Sequence, residues 1–272
     1  MSSRLTIELV GSASDREDVR LSDFIEQLRN VKKALQETEL ALSGGDKPLL
    51  DYRVVDLRHR SPATVVLEPV QAGDMPPSPE LIPKVVQSFT AELSLIKREK
   101  KLLIHPDLPR LQAYQEIGKR EATQSRIEKV KIRSGGKMVT IDQAFQRNLD
   151  QIVGPDEFAD GSISGMLDAV NFHNTNRFTL YPALGPRKVN GAFQPQLRAA
   201  VKQAIGSFVT VVGKLRYKAW SPFPHGVLAE FVDVHEPDSE LPTLTEMRGI
   251  FAGNTGAANS AEFVDNLRNE DW

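Results

Sequence analysis

Leu5, Ile7 and Leu9 alternate with polar residues up to Gly11, which predicts an opening strand from Arg4. Ser22 is placed to cap a helix, and Phe24, Leu28, Val31, Leu35 and Leu42 fall on one helical stripe that Gly44-Gly45 stops. A period of two returns in Tyr52 to Leu57 and again in Ala63 to Glu68, with His59-Arg-Ser-Pro62 as the connection. Beyond the Pro-rich link Met75 to Pro79, the spacing of Val85, Phe89, Leu93 and Ile96 predicts a second helix. Pro83 sits in its first turn, where a missing N–H costs little. The order β-α-β-β-α predicts an α+β domain over residues 1–126, with the helices on one face of a mainly antiparallel sheet. The charged stretch 97–126 reads as a helix extension and a linker, with Lys97 to Lys101 a solvated helix end.

A hairpin is expected over Val130 to Ile141, closing on Gly135-Gly136. Asp142 then caps a helix that turns Phe145, Leu149 and Ile152 inward. From Gly161 the pattern becomes strand-rich. Gly161 to Phe172, Arg177 to Tyr181 and Lys188 to Phe193 read as three strands, and Gln194 to Gly206 as a helix with Leu197, Val201 and Ile205 inward. Ser207 to Lys218 and Gly226 to His235 read as two more strands. Gly165 and Gly213 lie inside the two long strands, where a barrel strand bends sharply.

Three strands, a helix and two strands resemble an OB-fold barrel over about residues 161–235. The segment Gly206-x-x-Val-x-Val-x-Gly-x-Leu resembles the strand that follows the helix in that family. The fold class is thus an α+β N-terminal domain, then a five-stranded OB-like barrel, then an extended or helical C-terminal tail. The domain bounds are 1–126, 127–238 with the hairpin and helix as a lead-in to the barrel, and 239–272.

Composition narrows the class. The 272 residues carry a net charge of −2 and no cysteine, which removes disulfides, thiolate metal sites and cysteine nucleophiles. Residues 1–235 hold 32 Lys/Arg against 28 Asp/Glu, whereas 236–272 hold 2 against 8, so the acidic charge is concentrated in the tail. No run of about 18 apolar residues offers a membrane span, and residues 1–10 lack the pattern of a signal peptide. A cytoplasmic protein is expected, with no membrane partner and no cofactor.

OB barrels often bind single strands by stacking bases on aromatics beside cations. Lys214, Arg216 and Lys218 alternate onto one face of the fourth strand. Tyr217, Trp220, Arg177, Arg187 and Lys188 lie nearby in sequence. These eight residues form a candidate nucleic-acid site, although the same cations also suit an ordinary solvated strand face. Phe178 and Tyr181 are further aromatics, with Phe178 and Tyr217 equally suited to the core.

The tail ends in Ser260-Ala-Glu-Phe-Val-Asp-Asn-Leu-Arg-Asn-Glu-Asp-Trp272 after a Gly/Asn/Ala-rich link. This stretch resembles the toxin-binding tails of VapB- and Phd-type bacterial antitoxins. The resemblance implies a nuclease-type (PIN-domain) toxin as protein partner, with Phe263, Val264, Leu267 and Trp272 as apolar anchors. It also implies that Arg268, or Arg248, enters the toxin's acidic site. Nothing in residues 1–235 resembles the DNA-binding domain those antitoxins usually carry. The acidic, aromatic end also resembles the partner-recruiting tails of single-stranded-DNA-binding proteins.

His59, His105, His173, His225 and His235 are scattered, with no i, i+3 or i, i+4 pair. No phosphate-binding, dinucleotide or nucleophile-elbow signature stands in a matching context, since Gly161-Ser-Ile-Ser-Gly165 falls within a strand. The sequence reads as a non-enzymatic binding protein. An antitoxin acting through its tail is the leading expectation, and a single-stranded nucleic-acid-binding module is the alternative.

Overall fold

The computed structural model describes residues 4–58, 61–73, 78, 80–119, 127–173 and 175–236, together with 247, 261, 264, 265 and 268. The protein is mixed α+β, with two five-stranded sheets and five α-helices among the described residues. No helix there is long and apolar enough to cross a membrane.

The first sheet runs β2-β3-β1-β4-β5, with β1 at Leu5–Gly11, β2 at Leu50–Arg58, β3 at Ala63–Gln71, β4 at Ile127–Ser134 and β5 at Lys137–Ile141. All its pairings are antiparallel. β1 buries Leu5, Ile7 and Leu9 on alternate positions, as its period of two predicts. Helix α1, Leu21–Ser43, buries Val31 and Leu35, while Phe24, Leu28 and Leu42 pack at the margin of the same core. Helix α2, Leu81–Glu99, buries Val85, Phe89, Leu93 and Ile96 completely.

Two expectations are corrected in this half. Residues 97–126 are not only extension and linker, because α3 occupies Leu108–Glu116 and buries Leu111, Ala113 and Tyr114. Asp107 caps it by accepting the Arg110 N–H at 3.1 Å. The hairpin of β4 and β5 is no lead-in to the barrel: β4 pairs with β1, Ile7 standing opposite Ile132. Helix α4, Gln143–Val153, follows it into the first core through Phe145 and Leu149, with Asp142 capping the Phe145 N–H at 3.0 Å. The apolar faces of the hairpin and α4 have their complement there.

Between α1, α2 and α3 lies a polar network closed to solvent. Glu92 accepts from the Leu103 and Ile104 N–H groups at 3.1 Å each and from the Tyr114 hydroxyl at 2.9 Å. Arg110 is ion-paired with Glu92 and donates to the Ile104 and His105 carbonyls. Tyr114 in turn contacts Thr38 Oγ1 at 2.8 Å. Both charged side chains are fully buried.

The second sheet has the order β10-β8-β7-β6-β9. Its strands are β6 (Asp156–Asn171), β7 (Arg177–Pro182), β8 (Val189–Phe193), β9 (Phe208–Lys218) and β10 (Gly226–Val234). Helix α5, Arg198–Gln203, follows a 3-10 turn at Pro195–Leu197. Of its expected inward residues only Val201 is fully buried. Ile205 lies beyond the helix end and is exposed.

The end strands β9 and β10 lie side by side. The His235 N–H donates to the Phe208 carbonyl at 3.0 Å, and a Cβ on Gly213 would stand 2.1 Å from the Leu228 carbonyl oxygen. At Gly165 a Cβ would stand 2.4 Å from the Tyr181 carbonyl oxygen. Both glycines are therefore required by close backbone approach.

The chain divides into two compact units. The first is Met1–Ala159 with Gly185–Arg187 and Leu215–Gly226; the second is Asp160–Leu184, Lys188–Lys214 and Val227–Trp272.

Candidate functional site

The eight residues expected to bind nucleic acid are divided between these units. Arg177, Lys188 and Lys214 belong to the second unit, and all three are exposed. Arg187, Arg216, Tyr217, Lys218 and Trp220 belong to the first.

Three of that second group are engaged in structural roles. Lys218 is buried, donating to the Gly154 carbonyl at 2.7 Å and pairing with Asp156 at 2.7 Å. Trp220 packs on the first core and donates to the Val153 carbonyl at 3.2 Å. Arg187 pairs with Glu37 at 2.7 Å. On β9 Lys214 is exposed and Lys218 is buried.

Asp156 also meets His225 Nε2 at 3.1 Å and Arg216 Nε at 3.6 Å. Burial would raise the Asp156 carboxyl, but Lys218, then His225 and Arg216, hold it below the ordinary carboxylate range. Burial, with Arg216 next, pushes the His225 imidazole down, while Asp156 acts the other way. A neutral His225 then donates Nε2–H to the carboxylate.

Because the folded state resists protonating His225, stability falls as pH drops from the unfolded histidine value of about 6.5 through the lowered folded value. His225→Gln keeps a donor for Asp156 without titrating. Thermal melts between pH 8 and pH 5 are expected to show a smaller loss on acidification in the variant than in the parent.

A different set of side chains comes together on the outer face of the second sheet. Met166 of β6 stands directly opposite Tyr181 of β7. On its other side, the Leu167 N–H donates to the Ser207 carbonyl at 3.0 Å and Ser164 Oγ meets Thr210 Oγ1 at 2.8 Å. That register sets Met166 opposite Phe208 of β9. The Phe208 ring packs edge-on to His235, centroids 5.2 Å apart at 77°, and Thr210 Oγ1 holds His235 Nε2 at 2.7 Å.

The result is a row, Tyr181–Met166–Phe208–His235, that crosses the sheet with its three apolar members 36–45% exposed. Val212 and Lys214 continue the outward face of β9, and Arg177 lies on the Tyr181 side of β7. Asp168 is exposed on β6 beside this face, so the row is cationic only at its margins. The residues inward of it, Leu167, Leu180, Val209 and Val211, are fully buried, so the strands that carry it are rigidly backed.

The sequence pattern does not reveal this row, although Tyr181 stands out in it as an aromatic. Phe178 proves to be core, 2% exposed and packed on Phe193.

The hydroxyl–imidazole contact of Thr210 and His235 is also the geometry of a nucleophile and its base, but such a pair needs a third group to orient the ring. Among the described residues no carboxylate bonds the other ring nitrogen of His235, and no group of three potential metal ligands occurs.

The expected toxin-binding residues Arg248, Phe263, Leu267 and Trp272 lie outside the described residues. Val264 and Arg268 are described, and both are exposed.

No protein-family model, curated protein or solved structure matches the chain.

Proposed function

We propose that the protein is a non-enzymatic binding protein that holds single-stranded nucleic acid on an OB-type barrel formed by its second sheet. The strand order supports the barrel. Around the ring it runs β6, β7, β8, β10, β9 and back to β6, with α5 between the third and fourth strands. The sequence resemblance to OB domains rests on the chain order of three strands, a helix and two strands, and this ring order is compatible with it.

The observation that carries the reading is the row Tyr181–Met166–Phe208. Exposed rings on a backed sheet give bases a surface to stack on, and stacking needs no particular sequence. Arg177 and Lys214 flank the row and supply phosphate contacts. With about two such contacts, the logarithm of affinity falls with log salt at a slope near −1.4. Fluorescence anisotropy with labelled 12-nucleotide single strands and the matching duplex tests this. Saturable binding to the single strand, weaker on the duplex and with a shallow salt slope, is the expected result. Equal binding to both, or none, contradicts it.

A second reading keeps the tail as a protein-binding element of antitoxin type. It is favoured by the exposure of Val264 together with Arg268, which are i, i+4 neighbours among helical residues and were the expected anchor and blocking cation. Deletion of 241–272 then abolishes co-purification of a nuclease partner while the remaining chain stays folded. A partner retained after deletion rules this reading out.

A further inference from the structure

Among the described residues the first sheet ends on one side in β5, which is short and opens on Lys137, and on the other in β2, nine residues long. Long free edges invite pairing and are usually guarded. On β2 the cover runs out along the strand. Leu50 is fully buried, but Val54 and Leu57 are 54% and 57% exposed. Their partners on β3, Leu67 and Val65, face the core, so Val54 and Leu57 lie on the core side of the sheet where the helices do not reach.

The strand carries one irregularity, and it matters. Val54 pairs with Leu67 and Asp56 with Val66, so Val55 is an extra residue at a bulge. It shifts the alternation by one. Tyr52, Val54, Val55 and Leu57 then share one side, and Asp51, Arg53, Asp56 and Arg58 the other. This pattern is its own complement under a two-fold rotation. When β2 is laid antiparallel on a copy of itself with Val54 opposite Val55, Tyr52 meets Leu57, Arg53 meets Asp56 and Asp51 meets Arg58. Symmetry repeats every pair.

We propose that the protein forms a homodimer by antiparallel pairing of β2 with β2 of a second copy, continuing the first sheet from five strands to ten. The charges select that register. A slip of two residues in one direction sets Arg53 against Arg58, and in the other sets Asp51 against Asp56. The contacts these charges make within one chain, Arg53 to the half-buried Glu68, Arg58 to Asp56 and Lys32 to Asp51, leave Arg53, Asp56, Arg58 and Asp51 themselves exposed and are weak competitors.

Sedimentation velocity of the full chain across a concentration series tests the pairing. The parent is expected to pass from 30.2 kDa to twice that mass as concentration rises. Arg53→Asp places like charges across the axis twice and is expected to weaken the dimer at least about tenfold. Adding Asp56→Arg to the same chain restores opposite charges in the same register, and the dimer with them. A parent that stays at 30.2 kDa throughout overturns the proposal. So does a dimer indifferent to Arg53→Asp, or one lost in the single variant and not recovered in the double.

Discussion

Replacing Arg110 by Met is expected to destabilise the first unit by about 3–5 kcal/mol, a large share of a typical domain's stability. The side chain is fully buried and its guanidinium is the countercharge of an equally buried Glu92. Methionine of similar length fills the space but leaves a carboxylate in a medium that cannot solvate it. The remaining donors to Glu92, the Leu103 and Ile104 N–H groups and the Tyr114 hydroxyl, satisfy its lone pairs without neutralising it. Glu92→Gln in the same chain removes the stranded charge and recovers part of the loss. Urea denaturation of the two variants and the parent checks both statements. A loss below about 1 kcal/mol in the single variant would mean that the pair is open to water.

Phe208→Ala and Tyr181→Ala are each expected to weaken single-strand binding by about 5- to 150-fold, the range of about 1–3 kcal/mol for one stacked base. Both rings are partly exposed, so neither change opens a core cavity. Met166 lies between them, and its loss removes a polarizable contact and not a ring, so Met166→Ala has a smaller effect. Reversal of Lys214 changes affinity mainly through salt dependence, and reversal of Lys218 mainly through stability. The expected contrast between two lysines four residues apart follows from the burial of Lys218 beside Asp156.

The regular elements were largely legible in the sequence because their periods were clean. The α2 stripe of Val85, Phe89, Leu93 and Ile96 is buried as spaced. The hairpin turned at the glycine pair, and Gly165 and Gly213 mark close backbone approaches. Helix α3 was not legible. It is nine residues long, and its largest buried side chain is an arginine whose carboxylate partner lies 18 positions away. Local composition reads such a residue as solvated, and only the tertiary pairing makes its burial tolerable.

The row on the second sheet was hidden for a different reason. β9 is apolar on both sides, with Val209, Val211 and Leu215 inward and Phe208 and Val212 outward, so alternation alone does not say which set faces solvent. Lys218 and Trp220 look ligand-facing in the sequence because nearness along the chain stands in for nearness in space. Their partners, Asp156 and Val153, are more than sixty residues upstream.

A side-by-side anisotropy titration of a labelled single strand, with the parent chain and the Tyr181→Ala/Phe208→Ala double variant at one fixed salt concentration, decides whether the row stacks bases. Base stacking on the row predicts saturable binding by the parent and a loss of at least about 25-fold in the double variant, with both proteins giving the same urea midpoint. Identical binding curves for the two folded proteins would contradict the base-stacking role of the row, whatever else the second sheet binds.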